Sequence, residues 1–350
     1  MKEELMLEIV PIDTPTLGDR SYVVHDGRVA FVVDPQRDID RVLAVLEDRG
    51  VRLRDVFETH IHNDYVTGGL ALARLTGAAY HVNAADEVSF ERDPVEPGDM
   101  VSVGELRVRA VATPGHTFTH LAYVLEAPGE APAVFTGGSL LFGSTGRPDL
   151  LGPAHTGELV HAQYASAHRL AAELPDDTRV FPTHGFGSFC SASQSEADSS
   201  TIEQEKRANP VLTQSEQQYV DSLLAGLDAY PAYYAHMGPA NAAGPGPVDL
   251  DDAAAGRCCA AASPDRGGRV GGRPTYAHGL RRRARRRHAE LRPGRQLRDL
   301  PGMAHPVGHT VDRARRERAG RRDGAAGTGP HRHRPAGGRH DRITAGLERR

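Results

Sequence analysis

Tryptophan is missing from all 350 positions, and only three cysteines occur, Cys190, Cys258 and Cys259. Three thiols so placed cannot form a disulfide framework, which agrees with a reducing compartment. No apolar run approaches the roughly 20 residues that cross a bilayer. The start, Met1-Lys2-Glu3-Glu4, lacks the basic and apolar segments of a secretory signal. These absences exclude a membrane span and a small stapled domain, and they make a cytoplasmic protein the expectation.

Lysine is missing from one part only. Residues 253–350 hold 25 Arg, no Lys and 8 Asp plus Glu, a balance of +17, whereas the first 252 residues hold 17 Lys plus Arg against 38 acids, a balance of −21. Beyond Asp252 the apolar periodicity stops and runs such as Arg281-Arg282-Arg283-Ala284-Arg285-Arg286-Arg287 appear. A basic tail can serve nucleic acid or an acidic partner. Low hydrophobicity with high charge otherwise leaves a segment solvated, because burial cannot offset the chain entropy of folding. An Arg-rich, Lys-free composition is also what a GC-rich coding region yields when read out of frame. Met303-Ala304 is encoded ATG followed by GCN, so a frame displaced by one nucleotide reads TGG, tryptophan, at that point. The same displacement, with permitted codons, turns Val270 to Leu291 into ordered, apolar sequence. The tail is therefore expected to be an out-of-frame remnant, disordered and inactive.

The first 252 residues are organised around Thr59-His60-Ile61-His62-Asn63-Asp64-Tyr65, followed at once by Val66-Thr67-Gly68-Gly69. Residues i and i+2 of an extended backbone point the same way. His60 and His62 can thus present imidazoles to one metal while Asp64 reaches in behind them. A lone histidine is more often a satisfied polar group than a ligand, so company decides the matter. His116 in Pro114-Gly115-His116 and His184 in Thr183-His184-Gly185 each follow a short apolar run and stand beside a glycine, as a side chain does when a strand end delivers it into a site.

Apolar runs bounded by turn residues predict strands at Glu8–Val10, Ser21–His25, Val29–Val33, Asp55–Glu58, Ala79–Val82, Met100–Val103, Leu106–Val111, Leu121–Leu125, Ala133–Thr136 and Arg179–Phe181. The helical stripe Ile39, Val42, Leu43, Val45, Leu46 before Gly50 predicts a helix over Asp38–Arg49, with further helices at Gly68–Thr76, Glu158–Leu174 and Gln214–Leu227. Two groups of strands with helices outside them give an α/β fold, a four-layer αββα sandwich. Residues 231–252, rich in Pro, Gly and Ala, read as a linker.

The order His-x-His-x-Asp at 60–64, Gly115-His116, Thr136-Gly137 and His184 resembles the metallo-β-lactamase superfamily. It is most similar to the persulfide dioxygenase branch, which shares ancestry with the glyoxalase II thioesterases. The likeness runs from about Leu7 to Pro210 and includes Gly146-Arg147-Pro148-Asp149 and Thr201 to Pro210. It implies a metallo-β-lactamase-like domain over residues 1–230. The displaced frame of the tail is similar to a rhodanese domain, a module found fused to persulfide dioxygenases.

The chain departs twice from the family pattern. Tyr65 stands where a second-metal histidine would be, and Gly138 stands where a bridging aspartate would be. Without an anionic bridge, one divalent metal is expected, Fe²⁺ favoured and Zn²⁺ the alternative. The expected ligand set is His60, His62 and His116, with Asp64 and His184 as further ligands or as catalytic groups. The resemblance also implies that Arg147, with Tyr65, meets an anionic thiol substrate. Cys190 is read as a structural thiol, with a persulfide carrier as the sharper alternative. The implied reaction is oxidation of a low-molecular-weight thiol persulfide to sulfite and thiol. The alternatives are metal-dependent thioester hydrolysis and a weakened metal- or persulfide-binding module. The expected partner is the small-molecule substrate, with no nucleic acid and no membrane, and a homodimer is compatible with the sequence.

Overall fold

The computed structural model describes residues 6–193 and 197–250. The arginine-rich stretch 253–350, with its out-of-frame reading, lies outside these residues. No helix among the described residues is long and apolar enough to cross a membrane.

The first half of the fold is one sheet with two helices on its outer face. Strands β1 (Glu8–Thr14), β2 (Asp19–His25) and β3 (Val29–Val33) form an antiparallel meander. Then β4 (Arg52–Phe57), β5 (Ala79–Asn83) and β6 (Asp93–Val95) add in parallel. Helix α1 (Asp40–Arg49) makes the β3 to β4 crossover and α2 (Gly69–Thr76) the β4 to β5 crossover. Gly50 ends α1 in the left-handed region, φ 65°, as a C-terminal glycine without a Cβ does readily.

The second sheet runs β12-β11-β10-β9-β8-β7. Its strands are β7 (Met100–Val103), β8 (Leu106–Ala112), β9 (Leu121–Glu126), β10 (Ala133–Gly137), β11 (Arg179–Pro182) and β12 (Ser200–Thr201). Four helices accompany it: α3 (Pro153–Glu173), α4 (Ile202–Ala208), α5 (Pro210–Thr213) and α6 (Glu216–Ala225). Thr201 and Gln204 form a reciprocal capping box that starts α4.

The two-residue period of the strands sorts side chains into three apolar layers. Tyr22, Val24, Phe31, Val33 and Phe57 meet Val108, Ala110, Leu121, Tyr123 and Phe135 between the sheets. Their strand neighbours Val23, Ala30, Val32 and Val56 turn outward under α1 and α2. In the second sheet Ala122, Val124 and Val134 turn outward under α3 and α6. The expected αββα sandwich is the observed fold.

One expectation changes. The stretch expected as a linker carries helix α7 (Tyr234–Ala243), despite Pro239 within it. Its Asn241 is buried, and the amide donates to the His62 and Tyr65 carbonyls at 2.8 Å each while accepting from the Thr67 amide at 3.0 Å. These three bonds to another segment hold in place a helix that its composition alone does not favour.

Candidate metal centre

In open α/β sheets, loops at the carboxyl ends of the strands gather at one edge. The ends of β3 and β4, parallel neighbours, deliver Asp34 and the 58–69 loop. From the other sheet, β8 ends before His116, and β10 and β11, also parallel, end before Gly138 and His184. The four histidines expected as ligands are all buried at this edge. The His60 ring centroid lies 4.1 Å from His62, 4.8 Å from His116 and 5.4 Å from His184, and His116 lies 5.2 Å from His184.

The partners of the imidazoles fix which nitrogen carries the proton. A carbonyl only accepts, so His116 Nδ1–H donates to the Arg147 carbonyl at 2.8 Å. The Thr59 hydroxyl donates to Asp34 Oδ2 at 2.8 Å and therefore accepts from His60 Nδ1, also at 2.8 Å. His184 Nδ1 donates to Asp19 Oδ1 at 2.9 Å. In all three rings Nε2 is left as a bare lone pair, and the ligand atoms of His60, His116 and His184 lie within 4.8 Å of one another. The Nε2 atoms of His60 and His184 face each other at 3.5 Å. With no proton between them, two such lone pairs repel unless a cation sits among them.

His62 presents its other face. Its Nε2 lies 3.0 Å from the Tyr65 hydroxyl, 3.2 Å from Asp34 Oδ1 and 3.3 Å from Glu58 Oε2. That leaves Nδ1 turned toward Asp64, 3.9 Å from Oδ1. His62, Asp64 and His184 form a second set of ligand atoms within the same 4.8 Å limit. His184 is common to both sets. His116 Nε2, His62 Nδ1, both Asp64 oxygens and Asp19 Oδ2 are buried and lack any hydrogen-bond partner. Buried polar atoms are seldom left unpaired, and a cluster of unpaired imidazole nitrogens and carboxylate oxygens fits a metal cation. The expected residues His60, His62, Asp64, His116 and His184 are thus brought together. The three-nitrogen set within that limit takes His184 in the place foreseen for His62.

Electrostatics follow the same partition. Burial pushes His60, His116 and His184 below the ordinary histidine value, and it pushes His120 down to about 3. Burial also opposes charge on His62, but Asp34 and Glu58 outweigh it and hold His62 well above that value. Burial pushes Asp64 up to about 7, reinforced by the adjacent Asp19, which burial also pushes up to about 7.

Several residues of the site carried no sequence signal. Asp34 is the one non-glycine residue with positive φ among those described, 49°, a backbone state that functional sites tend to retain. Its carboxylate accepts from the Thr59 amide at 2.7 Å and from the Thr59 and Thr183 hydroxyls. It thereby ties the loops after β4 and β11 to one point. Glu58 accepts from Tyr80 at 3.0 Å and from Thr67. A Cβ at Gly69 would stand 2.3 Å from Glu58 Oε1, so only glycine lets α2 begin this close. His120 stacks on His60 at 4.9 Å and accepts from the Gly138 amide at 3.0 Å.

Gly138 itself is filled by a neighbour. A Cβ there would lie 2.4 Å from His116 Cδ2, so the His116 ring occupies the space into which a side chain would project. Arg147 enters the site differently from expectation. Its guanidinium forms a fork with Asp149 at 2.6 and 2.8 Å and donates to the Asp228 carbonyl at 2.7 Å; only its backbone carbonyl reaches a candidate ligand. Tyr65 is buried, stacked on His62 at 4.3 Å. Cys190 is fully buried beside Asp64 and Tyr234, and burial pushes its thiol well above the ordinary value.

Two six-stranded sheets between helices, with imidazoles and a carboxylate converging at the strand ends, define a scaffold able to hold a metal ion. The chain belongs to the metallo-beta-lactamase superfamily, whose family model matches residues 16–184. It is 30% identical over 210 residues to the mitochondrial persulfide dioxygenase ETHE1 of Homo sapiens, covering 59% of this chain and 74% of that protein. It is 33% identical over 160 residues to a hydroxyacylglutathione hydrolase of a Polaromonas species, covering 45% of this chain and 57% of that relative's length. Among solved structures it is similar to ETHE1 from Myxococcus xanthus, with 29% identity and a TM-score of 0.58, covering 67% of this chain and 98% of that one.

Proposed function

We propose that the protein oxidises a low-molecular-weight thiol persulfide to sulfite and free thiol. His60, His116 and His184 would hold one divalent metal, Fe²⁺ in preference to Zn²⁺, with His62 and Asp64 at its flank. Bound Fe²⁺ supplies affinity for a thiolate sulfur and for dioxygen together. The observation that carries this reading is the set of three bare imidazole nitrogens facing one another beside a Gly138 position that the His116 ring fills. Such a face is all nitrogen, and Gly138 supplies no acid to bridge a second cation. The similarity to persulfide dioxygenases over 74% of one such enzyme supports it further.

The chain's own residues hold and orient. The Nδ1 bonds of His60, His116 and His184 lock three Nε2 atoms toward one point, as partners behind a ligand do. Asp64, with two oxygens that lack a donor, is placed to accept a proton from the persulfide S–H or from water. In the balanced reaction the outer sulfur loses electrons to dioxygen, water supplies the third oxygen of sulfite, and the inner sulfur leaves as thiol. Burial of every ligand candidate keeps bulk water from competing.

Thioester hydrolysis is the second reading, favoured by the matched hydroxyacylglutathione hydrolases. Metal analysis of the purified protein, with oxygen uptake on glutathione persulfide and hydrolysis of a lactoylglutathione thioester, separates the two. Iron with oxygen uptake is expected. Zinc with thioester cleavage and no uptake would replace the proposal by the hydrolase.

A further inference from the structure

Helix α7 and the stretch leading into it touch candidate ligand residues from both halves of the fold. On the first-sheet side, Asn241 bonds the His62 and Tyr65 carbonyls and the Thr67 amide. One side chain thus fixes the backbone on either side of Asp64. One turn earlier, Gly238 packs on Asn63 so closely that a Cβ would stand 2.6 Å from Asn63 Oδ1. On the second-sheet side, the Arg147 guanidinium donates to the Asp228 carbonyl at 2.7 Å and lies 4.8 Å over the Tyr230 ring. The backbone carbonyl of the same Arg147 accepts from His116 Nδ1 at 2.8 Å. None of residues 228–243 belongs to a candidate ligand set among the described residues, so their hold on the centre is wholly indirect.

The segment is lightly held. Within α7 only Tyr234, Gly238 and Asn241 are buried, and Gly238 with Pro239 in its interior disfavours the helix by itself. Beyond those three residues, the Ser89 amide donates to the Ala242 carbonyl at 2.8 Å and Arg37 to the Pro247 carbonyl at 2.9 Å. An element with so few buried apolar contacts opens at a lower free energy than the sheets beneath it. When it opens, the buried His62 and Tyr65 backbone loses the donor that Asn241 gives it, and buried carbonyls are costly to leave unpaired.

We propose that residues 228–243 form a strap whose docking and metal occupancy favour each other, with Asn241 as the positioning residue that couples them. A bound metal orders His62 and Asp64 at its flank, while docked Asn241 orders the backbone that carries them. Each event selects the same loop shape and lowers the ordering cost of the other. Linkage makes the effect reciprocal: the factor by which metal stabilises the docked strap equals the factor by which docking raises metal affinity. The inference rests on the metal centre described above and not on the reaction run there.

The test uses the full chain stripped of metal and reloaded with Zn²⁺ as the probe. Amide hydrogen exchange is followed by mass spectrometry over residues 234–243, and zinc affinity by competition with a chelator. Zinc is expected to slow exchange in α7 about tenfold, although α7 offers no ligand, and Asn241→Ala is expected to weaken zinc binding by the same factor and to abolish that slowing. A merely structural Asn241 would instead speed α7 exchange equally with and without zinc and leave the affinity at the wild-type value, which overturns the strap. The wild-type comparison needs no variant, so it decides the matter even where Asn241→Ala fails to fold: tight zinc binding with α7 exchange unchanged overturns the strap and keeps the metal centre. A chain that binds no zinc overturns both. Neither measurement involves turnover, so a dioxygenase and a thioesterase give the same result.

Discussion

The loops after β4 and β8 deliver the same side chain to the same edge and surround it with opposite chemistry. Around His62 stand three acids, Asp34, Glu58 and Asp64. The hydrogen-bond partners of His116 and His120 are neutral, namely the Arg147 carbonyl, the Gly138 amide and the Thr113 hydroxyl. The rings are buried alike, yet His62 is held above the ordinary histidine value and the other two are driven below it. Burial alone therefore does not set the character of an imidazole here; the atom behind the far nitrogen does. The site is built with its negative charge on the first sheet, while two of its three bare nitrogens, those of His116 and His184, come from the second. That division suits a cation with open positions on the neutral side.

The division is broken most severely from the neutral side. His116→Ala removes a bare nitrogen and leaves a hole that Gly138 cannot fill. The affinity for divalent metal should fall by more than about 100-fold, the upper range for groups that only support a ligand. Competition with a chelator measures it, and wild-type affinity in the variant would remove His116 from the ligand set. The acidic side should respond less. Glu58→Gln keeps one oxygen toward His62, turns an NH2 donor to the Tyr80 and Thr67 hydroxyls, and deletes the charge. A loss of about tenfold in metal affinity with an unchanged unfolding midpoint is expected. An equal loss from Glu58→Gln and His116→Ala would show that the acids hold the cation themselves, through the Asp34, Glu58 and His62 set.

Much of this arrangement is legible in the chain because it is local. The runs Val29–Val33 and Met100–Val103 become β3 and β7 with the bounds read from their alternation and turn residues. His60, His62, Asp64, His116 and His184 declare themselves by short spacings and adjacent glycines. What stays hidden is tertiary. Asn241 braces the metal loop from 174 to 179 positions away, out of a stretch whose Pro and Gly content reads as a linker. Asp34 reads only as the residue before a proline, yet it collects the loops after β4 and β11. Arg147 misleads in the other direction, because the motif gives its position and not the Asp149 two residues on that consumes its guanidinium. Pattern locates ligands; it does not show which nitrogen of a ring faces inward.

The smallest perturbation tests the finest point of the comparison. The Tyr65 hydroxyl is one of three acceptors around His62 Nε2, and at 3.0 Å the nearest, but the other two are carboxylates. Bonds to charged acceptors outweigh a bond to a neutral hydroxyl, so Asp34 and Glu58 should keep His62 oriented after Tyr65→Phe. The hydroxyl also lies 3.3 Å from the Asp34 carbonyl, a contact too long to add much. Tyr65→Phe should therefore cost about 1 kcal/mol or less in stability and leave metal affinity near wild type. KM for a persulfide substrate should hold as well. A large rise in KM without a change in metal content would mean that the hydroxyl leaves His62 to meet substrate, and the acidic side of the site would then do more than fix a ring.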